Sequence, residues 1–485
     1  MGREQDGSMP FMLGAHAATY GDLRRAADRI STHLSLNGCG AGTRVGICLD
    51  QGLAYVASLL AVRQVGAVAV LLAPEWTEAE KARVLSHSEV SGLIADAPIN
   101  SASVPIQHID VADLDCMILR YDVTPSMACE PGDAAIIYTS GTTGQSKGVI
   151  LTEDGISANV RSVSAYLELE QSDSSPIFTP SCYVLSLSVN LVHAWVGASL
   201  SPLPRGLVMP MDIIRSIEEY RHTGLAAPTT AFRILADLNI DVAPDLTSVR
   251  YAMTVGQPLD PSTADTIATQ FPNAEIVNAY GCTENSPRIS CGRVGDRRDT
   301  GKYGWFSVGL ALEGTAIRII DEAGEDLPVN EVGRVIISGP SLMRAYWRDK
   351  ERTAEALIDG WFHTPDLGYL DDDGRLHLIG RLNSIINTGN EKVSPEEVEK
   401  VLCDAAGVAE AGVYGVPDPI LGEAVQAQVV LEPNASLEVR DLKTHCRKFI
   451  SAFKVPRHID VVSALPLTFY GKLDRGRLSR SEGSR

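Results

Sequence analysis

The sequence contains no closely spaced pair of cysteines. Its 485 residues include nine cysteines, at positions 39, 48, 116, 129, 182, 282, 291, 403 and 446, and no CxxC motif. Disulfide frameworks and zinc sites use clustered cysteines at short, regular spacings. The scattered, odd-numbered set therefore argues against both, and we interpret these residues as reduced thiols of a cytoplasmic protein.

Positive charge and long apolar runs are also scarce. Forty-two Lys and Arg residues against 61 Asp and Glu residues leave a formal net charge of −19. Because binding to nucleic acid phosphates needs clustered basic residues, we expect no nucleic acid partner. The longest apolar runs, such as VGAVAVLLAP, are shorter than the roughly 20 residues that cross a bilayer. With no signal-peptide layout at the start of the chain, we expect no membrane span.

Helical and strand-like segments alternate through the N-terminal part of the chain. Leu23, Ala27, Ile30 and Leu34 recur at helical spacing, and the apolar run RVGIC follows as a strand. This alternation predicts an α/β fold with parallel or mixed sheets and flanking helices. From about residue 313 to 340 the pattern changes to short alternating strands with turns, which predicts a β-rich subdomain.

A small α+β domain is predicted after Arg381. SPEEVEKVLCDA begins with a helix signal in which Ser394 is the N-cap, Pro395 lies in the first turn and Glu397 follows three residues after the cap. Strand-like GVYGVPD and AVQAQVVLEP and a helix over DLKTHCRKFIS come next. We therefore predict an N-terminal core over 1–381 and a C-terminal domain over 382–485.

A loop rich in glycine and hydroxyl groups follows the buried-looking strand AAIIY. It reads TSGTTGQSK over residues 139–147. Glycine lets backbone N–H groups approach phosphate oxygens, and the hydroxyls and the lysine add donors and charge. The loop lacks the GxxxxGK[ST] order of the standard nucleotide-binding loop. A phosphate-binding loop is the favoured interpretation, and a polar surface turn is the alternative.

Two internal motifs carry side chains suited to nucleotide binding. In NAYGCTEN, the Tyr280 ring could lie against a base and Glu284 could hold a divalent cation. In TPDLGYLDDDGRLHLIGR, Asp366 and Arg381 lie at the ends of a predicted hairpin and offer an acceptor and donors for ribose hydroxyls. A polar turn explains the first motif, and a structural salt bridge explains the second, about equally well.

A third motif, LPLTFYGK, places Lys472 on a loop near the C-terminus. Alone, such a lysine is most often a solvated charge. Taken in order, however, YTSGTTGQSKG, YGCTEN, TPDLGYLDDDGRLHLIGR, NEKVSPEEVE and PLTFYGK resemble the signature motifs of the adenylate-forming superfamily. This superfamily comprises acyl- and aryl-CoA synthetases, stand-alone adenylation domains and luciferases. The similarity extends from about Thr19 to Leu478.

The resemblance implies the following reaction and site residues. ATP activates a carboxylic acid as an acyl-adenylate, and a thiol, of CoA or of a carrier-protein phosphopantetheine, displaces AMP. The phosphate loop would comprise Thr139, Ser140, Gly141, Thr142, Thr143, Gly144 and Lys147. The adenine strand would comprise Asn278, Ala279, Tyr280 and Gly281. Thr283 would contact the α-phosphate, Glu284 would hold Mg²⁺, and Asp366 with Arg381 would fix the ribose.

Lys472 would bridge the acid and the α-phosphate, which makes it, with Thr283 and Glu284, a catalytic residue by resemblance. The C-terminal domain would be mobile and would rotate between the two steps, with its hinge at Asn383 and a thiol tunnel beside Gly389 and Asn390. The sequence departs from the family pattern at three places. It has Pro365 before Asp366, Asn383 instead of Asp or Lys at the hinge, and Asn390 where many CoA ligases have glycine.

The acid pocket is assigned by the same resemblance to Tyr183, Val184, Val255, Gly256 and Gln257. Amino-acid-activating relatives have an aspartate at the position of Val184, so an ammonium there would lie unpaired in an apolar wall. Gln257 stands where the family usually has a small residue, which would shorten the pocket. From both positions we expect an aryl or short acyl acid without an α-ammonium group.

CoA is the favoured acceptor of the acyl group. A phosphopantetheine on an acyl or peptidyl carrier protein, or a non-thiol nucleophile, is the alternative. The missing GxxxxGK[ST] arrangement and the missing HRD and DFG motifs argue against an ordinary ATPase or a kinase.

Overall fold

The computed structural model describes residues 6–14, 17–97, 99, 107–111, 116–120, 128–139, 147–203, 210–236, 244–295, 300–302, 304–382, 386–388, 391–418, 421–433, 435–467 and 473–478. Contacts divide the chain into two compact units. The first comprises Met1–Ile317 and Ile337–His363, and the second comprises Arg318–Ile336 and Thr364–Arg485. The domain boundary expected after residue 381 stays a prediction.

The α-helices in this part of the chain are α1 (Tyr20–Leu36), α2 (Leu53–Gln64), α3 (Glu78–Ser88), α4 (Glu153–Tyr166), α5 (Val184–Val196), α6 (Pro210–Tyr220), α7 (Thr229–Ala236), α8 (Pro261–Gln270), α9 (Lys350–Ala356), α10 (Pro395–Cys403), α11 (Val439–Phe449) and α12 (Arg475–Leu478). Short 3₁₀ turns cover Thr283–Asn285 and Ala452–Lys454.

The strands are β1 (Pro10–Met12), β2 (Ala18–Thr19), β3 (Arg44–Cys48), β4 (Val68–Leu71), β5 (Gly92–Ala95), β6 (Gln107–Val111), β7 (Cys116–Arg120), β8 (Asp133–Thr139), β9 (Lys147–Thr152), β10 (Ser174–Ile177), β11 (Ser199–Pro202), β12 (Gly224–Pro228), β13 (Tyr251–Val255), β14 (Glu275–Gly281), β15 (Arg288–Arg293), β16 (Leu310–Ala311), β17 (Ala316–Ile320), β18 (Gly333–Ser338), β19 (Ala345–Tyr346), β20 (Leu357–Ile358), β21 (Trp361–Leu370), β22 (Leu376–Arg381), β23 (Ile386–Thr388), β24 (Glu391–Val393), β25 (Val408–Asp418), β26 (Gly422–Leu431) and β27 (His458–Val461).

Local sequence signals explain where the first helix begins and which face it buries. The Thr19 hydroxyl accepts a hydrogen bond from the Asp22 N–H, and the Asp22 carboxylate accepts one from the Thr19 N–H. This reciprocal capping satisfies two N–H groups that a helix start leaves unpaired. The predicted apolar face, including Leu23 and Ile30, is buried. Helix α1 was thus predictable from its own residues.

The largest sheet has the strand order β19-β9-β8-β4-β3-β5-β7-β6. Its central pairs β8–β4, β4–β3 and β3–β5 are parallel, whereas β8–β9 is antiparallel. The predicted strand AAIIY forms β8, whose residues Ile136 and Ile137 are buried. The predicted α/β class is confirmed, and the phosphate loop leaves the sheet at the end of β8.

A second sheet carries the NAYG motif. Its order is β12-β13-β14-β15-β16, in which β12–β13–β14 are parallel and β14–β15 is antiparallel. One face packs against α4 and α5 in a buried cluster that includes Val160, Val192, Met253 and Ala279. The other face packs against α6, α7 and α8 in a separate buried cluster. A further sheet has the order β10-β11-β1-β2.

The β-rich segment and the C-terminal part each form a sheet. The first has the order β17-β18-β21-β20, with β22 paired to β21. The hairpin predicted over 364–381 is confirmed, because β21 and β22 pair antiparallel. The second sheet has the order β24-β23-β26-β25, with β27 paired parallel to β26. It packs with α10 and α11 around a buried cluster of its own.

The predicted N-cap of α10 is confirmed, but the hydrogen bonds of its side chain go elsewhere. Ser394 is the N-cap residue, yet its side chain makes no capping hydrogen bond. Its hydroxyl instead lies 3.1 Å from the Ile379 carbonyl and 2.8 Å from a Glu396 carboxylate oxygen. Glu397, three residues after the cap, pairs with Lys454 at 2.7 Å. Tertiary partners therefore replace the local capping box.

Two further features bear on the chemical environment of the chain. All nine cysteines lie within the described ranges, and none of them is joined to another in a disulfide. No helix found in those ranges combines the length and apolar character needed to cross a membrane.

Candidate active site

A lysine, a glutamate and a tyrosine from three distant segments meet beside the second end of the phosphate loop. Lys147 is the first residue of β9, Glu284 lies in the 3₁₀ turn after β14, and Tyr346 lies in β19. The Lys147 ammonium donates to Glu284 Oε1 at 2.6 Å and to the Tyr346 hydroxyl at 2.9 Å. That hydroxyl donates to Glu284 Oε1 at 2.9 Å. We call these residues the Lys147–Glu284–Tyr346 cluster.

The surroundings of Glu284 and Tyr346 fix the protonation states of these two side chains near neutral pH. Burial opposes ionisation of Glu284, but the charge and hydrogen bond of Lys147 outweigh it and hold the Glu284 pKa below its ordinary value. Burial, followed by the nearby Glu284 charge, raises the pKa of Tyr346. Glu284 is therefore a carboxylate, and Tyr346 is a neutral phenol that can donate to it.

Pairing between β9 and its neighbours explains why the cluster forms. Antiparallel pairing with β8 places Thr139 opposite Lys147, so the two ends of the phosphate loop lie side by side. On the other edge, β19 pairs antiparallel with β9 and places Tyr346 opposite Val149. Among the residues with described contacts, the Thr139 hydroxyl is buried and makes no hydrogen bond. A buried hydroxyl and an ammonium at the two ends of one loop are groups that can bind an anionic ligand.

The NAYG segment forms the end of β14, and its first residue has a clear structural task. The Asn278 amide donates to the carbonyls of Phe306 and Ser307 and accepts from the Thr254 hydroxyl at 3.2 Å. Asn278 thus connects β14 to the segment between β15 and β16. Ala279 and Tyr280 are also buried. The contacts predicted between this segment and adenine stay predictions.

Close backbone approach explains the glycine in this motif. A Cβ atom at Gly281 would lie 2.0 Å from the Pro287 carbonyl oxygen. At this point the β14–β15 pairing is irregular: Tyr280 lies opposite Ser290, but Gly281 lies opposite Arg288. The extra residue in β15 is a β-bulge, a device that redirects side chains and is frequent beside active sites.

The residues predicted to bind ribose meet within the second compact unit. Asp366 and Arg381 lie directly opposite each other in the β21–β22 hairpin. Arg381 Nε donates to Asp366 Oδ1 at 3.1 Å. The Asp366 side chain is 10% exposed and that of Arg381 is 55% exposed, so the carboxylate is fixed while the guanidinium reaches solvent. The predicted convergence is confirmed; its role with ribose stays a prediction.

The residues predicted for the acid pocket lie at the start of helix α5, which packs on one face of the second sheet, and at the end of β13 in that sheet. Tyr183 precedes α5, and Val184 is its first residue. Val255 ends β13 and is followed by Gly256, whose φ of 84° favours glycine, and by Gln257. Helix α5 and strand β13 contribute to the same buried cluster. Their joint contact with an acid stays a prediction.

Several predicted site residues lie outside the described ranges. These are Ser140, Gly141, Thr142, Thr143, Gly144, Asn383, Gly389, Asn390 and Lys472. Thr283, predicted at the α-phosphate, opens the 3₁₀ turn that holds Glu284 and is half-buried.

Two residues of this region were not predicted from the sequence. Tyr346 lies in the segment RAYW, which carries no recognisable site pattern, and only the pairing of β19 with β9 brings it to Lys147. Arg288 follows NAYGCTEN by three residues and is buried in the sheet. An arginine soon after a predicted site motif was the available signal, but its burial was not visible from sequence.

Comparisons with known proteins identify the family of the chain. The family described as AMP-binding enzyme matches residues 4–347, and the AMP-binding enzyme C-terminal domain matches residues 397–472. An oxalate–CoA ligase of Arabidopsis thaliana is 30% identical over 95% of this chain and 92% of its own. A feruloyl-CoA synthase of an Amycolatopsis species is 30% identical over 97% and 95%.

Among solved structures, ATP-bound MatB from Rhodopseudomonas palustris superposes with a TM-score of 0.85. It is 25% identical, and the match covers 99% of this chain and 97% of that one.

Proposed function

The chain belongs to the family of AMP-binding enzymes and is an AMP-forming ligase of the acid–CoA type, and we propose that it activates an aryl or short acyl acid without an α-ammonium group. In this proposal the acid attacks the α-phosphate of ATP, pyrophosphate leaves, and the acyl-adenylate passes its acyl group to the thiol of CoA.

The observation that carries the proposal is the Lys147–Glu284–Tyr346 cluster. A carboxylate that attacks a polyphosphate brings like charges together, so the site must supply positive charge and fixed geometry. Lys147 lies at the end of the phosphate loop and offers an ammonium that can turn from Glu284 to phosphate oxygens. Tyr346 donates to Glu284 and keeps that carboxylate in place when the lysine moves.

The cluster also fits a magnesium ion that arrives with the nucleotide. Glu284 is an ionised, buried carboxylate, which is the ligand type that Mg²⁺ prefers. Within the described ranges no three His, Cys, Asp or Glu side chains gather as a metal site. Glu284 would supply a protein ligand, and phosphate oxygens and water would supply others. Bound there, Mg²⁺ would neutralise phosphate charge as pyrophosphate departs.

Lys472, Asp366 and Arg381 complete the proposed machinery. Asp366 and Arg381 would hold the ribose through the acceptor and donors of their hairpin pair. Lys472 would stabilise the charge that builds between the acid and the α-phosphate, in the first step only.

Val184 supports the exclusion of amino acids. It occupies the start of α5, where an apolar side chain cannot pair with an ammonium.

The test is pyrophosphate release from MgATP over a panel of aryl, short acyl, fatty and amino acids, each with and without CoA, followed by mass spectrometry. An acyl-CoA formed from an aryl or short acyl acid supports the proposal. AMP and pyrophosphate without a thioester would contradict CoA as acceptor and favour a carrier protein or a non-thiol nucleophile. Preferential activation of α-amino acids would contradict the assignment of Val184.

A further inference from the structure

Among the described residues, Arg288 is a buried cation that has no anionic partner. Only 4% of the residue is exposed. Its Nη2 lies 3.5 Å from the Met253 sulfur, a weak acceptor, and its Nε has no hydrogen-bond partner. Across the described ranges no carboxylate forms an ion pair with it. Burial lowers the Arg288 pKa, and the groups that oppose this effect are the Cys291 thiol and the Tyr251 phenol rather than an acid.

A buried guanidinium in this condition needs an explanation. The group carries five N–H donors and keeps its charge in proteins. An unpaired charge in an apolar interior costs several kcal/mol, on the order of the stability of a whole domain. Such a group usually meets a partner that is supplied by the molecule's function.

The backbone of Arg288 is held firmly in place. The Asn159 side chain accepts from the Arg288 N–H and donates to its carbonyl at 2.7 Å. The Asn285 amide donates to the same carbonyl at 2.8 Å. Both asparagines are buried, so the direction in which this side chain leaves the strand is fixed.

The β-bulge turns Arg288 toward α4 and α5. Residues directly opposite each other in a sheet share a face. Cys291 lies opposite Ala279, and Arg288 lies opposite Gly281, so Arg288 and Cys291 share a face although they are three residues apart. That face carries the buried cluster of Met253 and Ala279, against which Val255 packs.

The side chain extends away from the strand ends. Met253 lies opposite Val277, which is four residues before Gly281 in β14. The guanidinium therefore runs back along the sheet, deeper than Thr283 and Glu284, which follow the carboxyl end of β14. A reacting carboxylate belongs near those two residues, so the guanidinium lies where the far end of a bound acid would reach.

From this geometry we infer that Arg288 is a specificity-determining residue that pairs with a second anionic group of the substrate. The inference rests on the proposed function and narrows the substrate to carboxylic acids that carry a further carboxylate or sulfonate. A guanidinium fork matches such a group with two parallel hydrogen bonds. A monoanionic acid would leave the buried charge unpaired, which gives selection by a penalty as well as by an attraction.

The experiment compares matched pairs of acids on the full-length enzyme. Each pair consists of a dicarboxylic acid and its monoamide, which has nearly the same shape and one charge less; a sulfo-carboxylic acid is added. Pyrophosphate release is measured with wild type, Arg288→Met, Arg288→Lys and a control, Arg293→Met. Arg293 lies on the same strand but forms exposed ion pairs with Glu168 and Glu275.

We expect wild type to favour the diacid over its monoamide by about 100-fold in kcat/KM, the scale of losing one partner of a buried charge pair. Arg288→Met should lose that preference while its activity on the monoamide stays level or rises, and Arg288→Lys should retain part of it. Arg293→Met should match wild type.

Two outcomes overturn the inference. One is a wild type that uses monoamides as well as diacids. The other is an equal loss on both acids in a folded Arg288→Met. The wild-type comparison decides even if that variant fails to fold. Failure of every acid to release pyrophosphate would instead refute the proposed function itself.

Discussion

Replacing Lys147 by methionine tests whether the Lys147–Glu284–Tyr346 cluster is an energetic unit. The substitution keeps the length of the side chain and removes its charge, so Glu284 remains buried without its cation. Breaking a buried ion pair from one side costs about 3–5 kcal/mol. Because Lys147 is 23% exposed and Tyr346 still donates to Glu284, we expect a cost near the lower limit, about 3 kcal/mol.

A double-mutant cycle isolates the pairwise contribution. Glu284→Gln leaves Lys147 free to turn toward solvent and should cost about 1 kcal/mol. The double variant Lys147→Met, Glu284→Gln buries no charge, so it should be more stable than the sum of the single costs by about 2 kcal/mol. Urea unfolding of all four proteins, monitored by tryptophan fluorescence, supplies the free energies of unfolding.

The pH dependence of these proteins gives a second check. In wild type the Glu284 pKa is lowered from 4.5, so its contribution to stability is present above that pH and is lost as pH falls through the folded value. In Lys147→Met, burial is opposed by the hydrogen bonds from Tyr346 and the backbone but no longer by the lysine, so we expect the Glu284 pKa to rise and stability to fall as pH rises. The gap between the two proteins should therefore be wider at about pH 7.5 than at about pH 5.

Additive costs in the cycle, within about 0.5 kcal/mol, would refute the reasoning. A gap that is constant with pH would refute the assignment of Glu284 as the ionised partner.

Three further predictions follow from the site and its surroundings. Lys472→Ala should abolish pyrophosphate release yet largely spare acyl transfer from supplied acyl-adenylate to CoA, which mass spectrometry of the thioester measures. Equal loss of both steps would contradict the two-step assignment. Gly281→Ala should destabilise the fold by about 2 kcal/mol or more, because the new methyl group meets the Pro287 carbonyl, whereas Gly40→Ala, where the nearest atom to a Cβ is the Val65 carbonyl oxygen at 3.7 Å, should cost less; thermal melting compares the two. Burial raises the pKa of Glu399, with Arg475 opposing the effect and Glu396 adding to it, so ionisation of Glu399 destabilises the folded protein as pH rises above 4.5. The free energy of unfolding of Glu399→Gln, measured in urea, should therefore increase relative to that of wild type between about pH 5 and 8. A difference that stays constant with pH would contradict this prediction.

Elements with strong local patterns were predictable from the sequence. Helix α1 has its own capping residues and an apolar face, and β8 is a short buried run. The pairing of Asp366 with Arg381 was also predictable, because a single hairpin turn separates them and fixes which residues face each other.

Contacts between distant segments were not predictable in the same way. Tyr346 reaches Lys147 only through a strand pair that joins segments 199 residues apart, and no local pattern records that pairing. The N-cap position of Ser394 was predictable, but its hydrogen bonds were not, because the Ile379 carbonyl and Glu396 compete with the helix start for its hydroxyl. Arg288 required knowledge of a bulge, which alternation along a strand does not reveal.

The bulge in β15 makes the character of the proposed pocket depend on chain length. With regular pairing, Ile289 instead of Arg288 would lie opposite Gly281. An aliphatic side chain would then take the place of the guanidinium, without any substitution. A change of one residue in the length of β15 would thus replace a pocket wall that binds anions by one that binds apolar acids. Among relatives, substrate class should therefore be compared by strand register, because column-by-column alignment would pair the wrong residues.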